Sequence, residues 1–202
     1  MGGPSRLIAA FLLIVAQGLL QAQPREPDFG TLSLDQLTER AAAIVVSTVT
    51  SRRAEWEHFG ASRLIITKVT IEVEQSLKGS APRTLTVDVL GGTIGDETLR
   101  VSHVPEFRVG DRDVLFLNNA PHAVSPLVGS DQGRFRVMNE AGSGTARMLT
   151  VGFAPLVSVE AIGLATSAQG GGGLVRSMSA ALSLSDFVTL VRDRVRQLER
   201  RR

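Results

Sequence analysis

The residues best suited to hold a metal or to move a proton near neutral pH are the three histidines, His58, His103 and His122. None lies three or four positions from another, the spacing that sets two ligands on one helix face. A metal site would therefore need all three to converge from separate strands and loops, and none is assigned. Glu72 and Glu74 stand two apart, which puts both carboxylates on one strand face, as a glycosidase acid and base would need. The same spacing describes a solvated strand face, and that reading is adopted. Serines are plentiful, but there is no Gly-x-Ser-x-Gly turn to raise one as a nucleophile, and Gly142-Ser143-Gly144 reads as a loop. Gly91-Gly92-Thr93-Ile94-Gly95 is rich in glycine like a phosphate cradle, yet it lacks the Lys-Ser/Thr pair and does not open a helix. It reads as a turn or bulge with positive φ. Gly91, Gly92, Thr93 and Gly95 are assigned as a partner-contact loop. No catalytic residue, metal ligand or cofactor follows from these patterns, so the chain is read as a non-enzyme.

The elements that carry these residues are mostly strands. Ser33 is a plausible N-cap for a helix over Leu34 to Ala43, with Leu34, Leu37 and Ala41 on one face. The β-branched run from Ile44 to Thr50 follows directly and predicts a strand. Arg52 to Arg63 reads as a hairpin connection or an exposed strand extension. From Leu64 to Leu77, Val69, Ile71 and Val73 alternate with Thr70, Glu72 and Glu74, giving one buried and one wet face. Leu85, Val87 and Val89 mark a third strand. Leu99 to Val104 is a short fourth, and Val114 to Leu117 a continuous apolar one. Phe135 and Val137 mark another, and Met148 to Val159 a further strand pair. Near the end, Ser183 caps a helix whose stripe is Leu184, Phe187, Val188, Val191, Val195 and Leu198. Five to seven short strands with frequent turn signals predict an antiparallel barrel or sandwich with flanking helices.

Composition adds an address and several exclusions. Met1 to Arg6 is positively charged, Leu7 to Val15 is unbroken apolar sequence, and Leu20-Gln21-Ala22 ends in a small residue. That layout predicts a secretory signal cut between Ala22 and Gln23, and hence a periplasmic or extracellular protein. The apolar stretch is shorter than the roughly 20 residues of a membrane span. The chain of 202 residues has no Cys, which removes disulfides, thiolate metal sites and a Cys nucleophile. An exported fold without such staples must rest on its core. The sequence pI of 9.9 invites a nucleic-acid or membrane-surface partner. Yet formal net charge is only +2, 20 of the 22 basic residues are Arg, and there is no Tyr to titrate. Arg192, Arg194, Arg196, Arg200, Arg201 and Arg202 against Asp193 and Glu199 give the tail +4, while residues 23–191 carry 15 basic and 18 acidic side chains, a balance of −3. A mildly acidic body poor in aromatics speaks against nucleic acid. The basic tail could touch an acidic lipid surface, but its apolar stripe favours a helix docked on the core.

The order of segments also resembles a known group. "SLDQLTERA" runs into "AIVVSTVTS", followed by "TKVTIEVEQSLKG", "LTVDVLGGTIG", "FRVGDRDVLFL" and "GRFRV". Over about Leu32 to Val137 this is similar to exported, mostly uncharacterised bacterial proteins whose core looks like the netrin-like or metalloproteinase-inhibitor type of five-stranded, OB-type barrel. The resemblance implies a mainly β fold: that barrel with a short N-terminal helix and a C-terminal amphipathic helix. It implies a protein partner, with a secreted protease as the suggested class. In the animal inhibitors of this type a cysteine chelates the target's zinc; with no Cys here, no inhibitory residue carries over. The chain divides into a signal (1–22), a linker (23–31), the barrel (32–160), a Gly-rich segment (161–182) and the helix (183–202). The main expectation is an exported, non-enzymatic protein-interaction module. A lipid or small-ligand carrier is the alternative, and a hydrolase with an unrecognised site the third option.

Overall fold

The computed structural model describes residues 30–119, 124–162 and 178–201. The expected signal and its Ala22–Gln23 cut, His122 and most of the Gly-rich segment lie outside these residues.

The first helix, α1 (Leu34–Arg40), begins where its capping chemistry is complete. The Ser33 hydroxyl accepts from the Gln36 amide at 3.3 Å, and the Gln36 side chain accepts from the Ser33 amide at 2.9 Å. The helix stops at Arg40 rather than continuing to Ala43 as predicted, because Ala41 is already extended. Lys78 explains the early stop. Its ammonium donates to the carbonyls of Thr38 and Ala41, both at 2.6 Å, and of Glu39 at 3.2 Å, taking over carbonyls a helix end leaves open.

Six strands form one antiparallel sheet. They are β1 (Ala43–Phe59), β2 (Ser62–Lys78), β3 (Thr84–Leu90), and, after a separate small hairpin of β4 (Gly92–Ile94) and β5 (Glu97–Leu99), β6 (Arg112–Leu117), β7 (Arg134–Asn139) and β8 (Ala146–Leu149). The order across the sheet is β3-β2-β1-β6-β7-β8. Residues 52–63 extend the strands, with the turn at Gly60 (φ 60°) and Ala61. The strand predicted over Leu99 to Val104 does not form: β5 ends at Leu99, and the chain from Arg100 to Asp111 runs without ladder pairing. The strand pair predicted over Met148 to Val159 reduces to β8 and a single bridge between Leu149 and Pro155. Pro155 has no amide to extend a ladder.

The sheet is open, where a closed five-stranded barrel was expected. Register shifts at three places in β1, between Ile44 and Val45, Val46 and Ser47, and Val49 and Ser51, bend it as bulges do. The outer strands β3 and β8 nevertheless share no ladder among the described residues. The irregular chain around Val104 to Glu106 lies between them: it lines one groove with Val89 and Leu90 of β3 and a second with Val151 and Phe153, just past β8.

Alternation of side chains gives the sheet two apolar faces. On one, Ile44, Val46, Val114, Phe116, Phe135, Val137 and Met148 pack against α1 and the last helix, α2 (Leu184–Glu199). Ser183 caps α2, and Phe187, Val188, Val191 and Val195 are its buried stripe, as the sequence predicts. Arg194 of α2 also pairs with Asp35 of α1 at 2.9 Å. On the other face, Val45, Val49, Val69, Ile71, Val87, Val89, Leu115 and Leu117 gather around Phe107.

Candidate functional site

The second face carries the unusual chemistry. Period-2 alternation points Asp113 of β6 and Arg134 and Arg136 of β7 to this face, and Asp113 sits directly opposite Arg136 in the ladder. Arg134 is fully buried. Its Nη2 donates to Asp113 Oδ2 and to Asp111 Oδ2, both at 2.7 Å. Its Nη1 donates to the Glu106 carbonyl at 2.6 Å, and its guanidinium carbon lies 4.3 Å from the Phe107 ring centroid. Arg136 reaches Asp111 Oδ1 at 3.3 Å and stacks on the Phe153 ring at 4.2 Å. The four charges balance as two pairs. Burial pushes the Asp113 carboxyl above its ordinary range, against the pull of Arg134 and Arg136. Burial pushes Asp111 up too, but the Arg108 amide, Arg134 and Arg136 together hold it below that range. Asp113 Oδ1, Arg134 Nε and Arg136 Nε are buried with no hydrogen-bond partner among the described residues, an unusual concentration for one network.

This network floors a groove of about 320 Å³, which His103, Arg108, Asp131 and Phe153 help to line. Backbone strain gathers here. Among the described residues, those other than glycine at positive φ are His103 (59°), Ser130 (67°) and Phe153 (64°). His103 and Phe153 line the groove, and the Ser130 hydroxyl donates to the His103 carbonyl at 2.5 Å. Phe153 is 54% exposed at its edge. Its neighbours provide guanidinium, imidazole, carboxylate and an aromatic face.

A second groove, of about 300 Å³, lies on the far side of the Val104–Glu106 ridge. Gly91, Gly92 and Thr93 of the predicted contact loop line it, while Gly95 sits in the β4–β5 turn (φ 58°) with open space around it. Positive φ at Gly91 (105°) and Gly92 (138°) bears out the turn-or-bulge reading. Gly92 is also a close approach: a Cβ there would sit 2.4 Å from Thr67 Oγ1. These glycines let the start of the β4–β5 hairpin pack close against β2.

The other residues considered for chemistry are engaged elsewhere or stand apart. Glu72 pairs with Arg83, and Glu74 takes three bonds from Arg112 and one from Thr48. His58 sits far along the β1–β2 hairpin, away from His103. Among the described residues no group of three His, Cys, Asp or Glu could hold a metal ion, and no helix is long and apolar enough to cross a membrane. The buried network went unnoticed in the sequence, although its signal was there: Asp111 and Asp113 two apart, Arg134 and Arg136 two apart, and opposite signs on segments that become neighbours.

No protein-family description, curated protein or solved structure matches this chain.

Proposed function

We propose that the protein is an exported, non-enzymatic recognition module that binds a protein partner at the groove between His103, Arg108, Arg136 and Phe153. The observation that carries this reading is the convergence of backbone strain on that groove. Non-glycine residues at positive φ cost about 1–3 kcal/mol each and persist where surrounding structure holds them for a purpose. Here two such residues wall the groove and the third buttresses one of them. Phe153, an exposed aromatic backed by a guanidinium, has the makings of an interface anchor.

The finer reading of the fold, a netrin-like arrangement of OB type left open between β3 and β8, belongs to the same proposal. It is supported by the antiparallel order, the bulged β1 and the ridge that bridges the gap between β3 and β8. The partner suggested by that resemblance is a secreted protease, engaged by surface contact and not by zinc chelation.

Site-specific photo-crosslinking tests the reading in the exporting cell. A benzoylphenylalanine at position 153 is expected to give a discrete protein adduct, and one at Met138, also exposed but on β7 outside the groove, is expected to give none. A silent position 153, or equal labelling from both, overturns the assignment. Mass spectrometry of the adduct then says whether the partner is a protease.

A further inference from the structure

The second groove has features of a small-ligand site, independent of the partner groove. Its floor is apolar: Val69, Val89 and Phe107 are buried, and Val104 and Leu99 are half-buried. Two arginines line it, and neither is neutralised. Arg100 makes no hydrogen bond or ion pair among the described residues, and Arg52 makes one, from Nη1 to the Phe107 carbonyl at 2.9 Å. The acidic residue on the lining is Glu106, which stands on the ridge and also lines the other groove. The hydroxyls nearby are already used. Thr67 donates to the Gly91 carbonyl at 2.6 Å, and Thr93 and Thr98 bond each other at 3.0 Å. What remains for a ligand is a groove with an apolar floor, a polar rim and two guanidiniums without carboxylate partners among the described residues.

Several other arginines, Arg40, Arg63, Arg108 and Arg192 among them, likewise pair with no carboxylate among the described residues. What sets Arg52 and Arg100 apart is that both line one groove together with buried Val69, Val89 and Phe107. Volume sets the size class, since about 300 Å³ lies at the small end of ligand pockets. Guanidinium sets the charge and favours a carboxylate, which it can bind in a fork.

We infer that the groove between the β4–β5 hairpin and the Val104–Glu106 ridge binds a small amphipathic monocarboxylate, its apolar body on Val69, Val89 and Phe107 and its carboxylate on Arg100 and Arg52. Gly91 and Gly92 serve this site by letting the hairpin backbone pack close against Leu99 and Thr67, where a Cβ would collide, and so form one wall.

Titration calorimetry on the full chain with octanoate and with octan-1-ol as probes tests this. Octanoate is expected to bind at least about tenfold more tightly than octanol, the difference expected of a charge-assisted contact. Arg100→Ala is expected to weaken octanoate by about tenfold and leave octanol unchanged. Because Arg100 is exposed and makes no internal bonds, the variant should keep the wild-type melting temperature. Val104→Trp, which fills the trough from its half-exposed rim, is expected to abolish both. Equal affinity for the two probes, no detectable octanoate binding, or octanoate binding indifferent to Arg100→Ala would each overturn the inference. Phe153→Ala, across the ridge, should leave octanoate binding intact and so separates failure of this site from failure of the partner groove.

Discussion

The two faces of the sheet are finished in different ways. Under α1 and α2 the cover is helical and the contents are apolar. Phe116 meets Phe135 edge-on at 5.6 Å, and Phe135 meets Phe187 of α2 at 5.1 Å. The opposite face begins just as apolar around Val69, Ile71 and Leu115, but toward β7 it turns into buried charge, and among the described residues no helix lies over it. Irregular chain, a three-residue-strand hairpin and a strained turn cover it instead. Helices cover the centre of a face because a continuous apolar stripe meets a continuous apolar surface, and on this side the open space, about 520 Å³, lies at the edge of α2 beside Ser183, Val188 and Arg192. Irregular cover leaves gaps, and both grooves of the molecule described above lie in those gaps. The helical face supplies stability, while the other uses part of that stability to hold strained backbone and desolvated charge in place.

The sharpest way to break this comparison is to remove the centre of each face. Phe187→Ala is expected to cost about 3–5 kcal/mol in urea unfolding, the usual toll for deleting a buried aromatic. Arg134→Ala is expected to fall in the same range, about 3–5 kcal/mol, because it leaves Asp113 buried without its partner. The faces should part company on rescue. Replacing Asp113 and Arg134 together by Leu and Met, which leaves the Asp111–Arg136 pair in place, is expected to restore most of the lost stability, as apolar replacements of buried ion pairs often do. No polar set could rescue position 187. If the double variant stays as unstable as Arg134→Ala, the charge network is a stability element and the contrast between the faces fails.

Smaller effects sharpen the same contrast at its edges. Gly92→Ala strains a backbone at φ 138° and drives a Cβ into Thr67, for an expected loss of about 1–3 kcal/mol. It should also displace the β4–β5 hairpin, seen as amide shifts in Thr93 to Thr98 that are absent from α2. Ser183→Ala removes the α2 cap, whose hydroxyl accepts from the Asp186 amide at 3.1 Å, and is expected to cost about 1 kcal/mol with no change at either groove. A melting temperature unmoved by Ser183→Ala would mean that packing alone holds the helix.

The helical face was largely legible in the sequence. Ser33 and Ser183 announce their helices, and the stripe Phe187, Val188, Val191, Val195 has one reading only, since 3.6-residue spacing with a cap before it fits nothing else. The strand centres were legible for the same reason. The open face was not, because its meaning depends on which strands become neighbours. Asp113 reads as an ordinary polar residue until β6 and β7 pair and put it opposite Arg136. His103 and Phe153 give no local sign of left-handed backbone, which glycine would normally supply. Closure of the barrel was over-read: alternation predicts strands, but whether β3 meets β8 is decided by the irregular chain from Arg100 to Asp111, which has no period to read.

The least of these effects is in pH dependence, and the part that separates the variants falls on the open face. Asp111 is held below its ordinary range in the folded protein, so it contributes stability above its unfolded pKa, and that contribution is lost as pH falls through the depressed folded value. Asp113 is raised, so its contribution has the opposite sign: it is full below the unfolded pKa and disappears as pH rises through the raised folded value. Glu74, lowered by Arg112 and Thr48, adds an acid loss common to every variant here. Melting temperatures followed downward from pH 7 should therefore fall less steeply for Asp111→Asn than for the wild type, since one source of acid loss is gone. For Asp113→Asn they should fall more steeply, since the group that gains on protonation is gone. Phe187→Ala should run parallel to the wild type, displaced downward, because no titrating group is touched. Opposite slopes from two aspartates that share one arginine would place the acid response in the buried network. Slopes of the same sign would mean that the two carboxylates titrate as a single unit and that their separate environments do not matter.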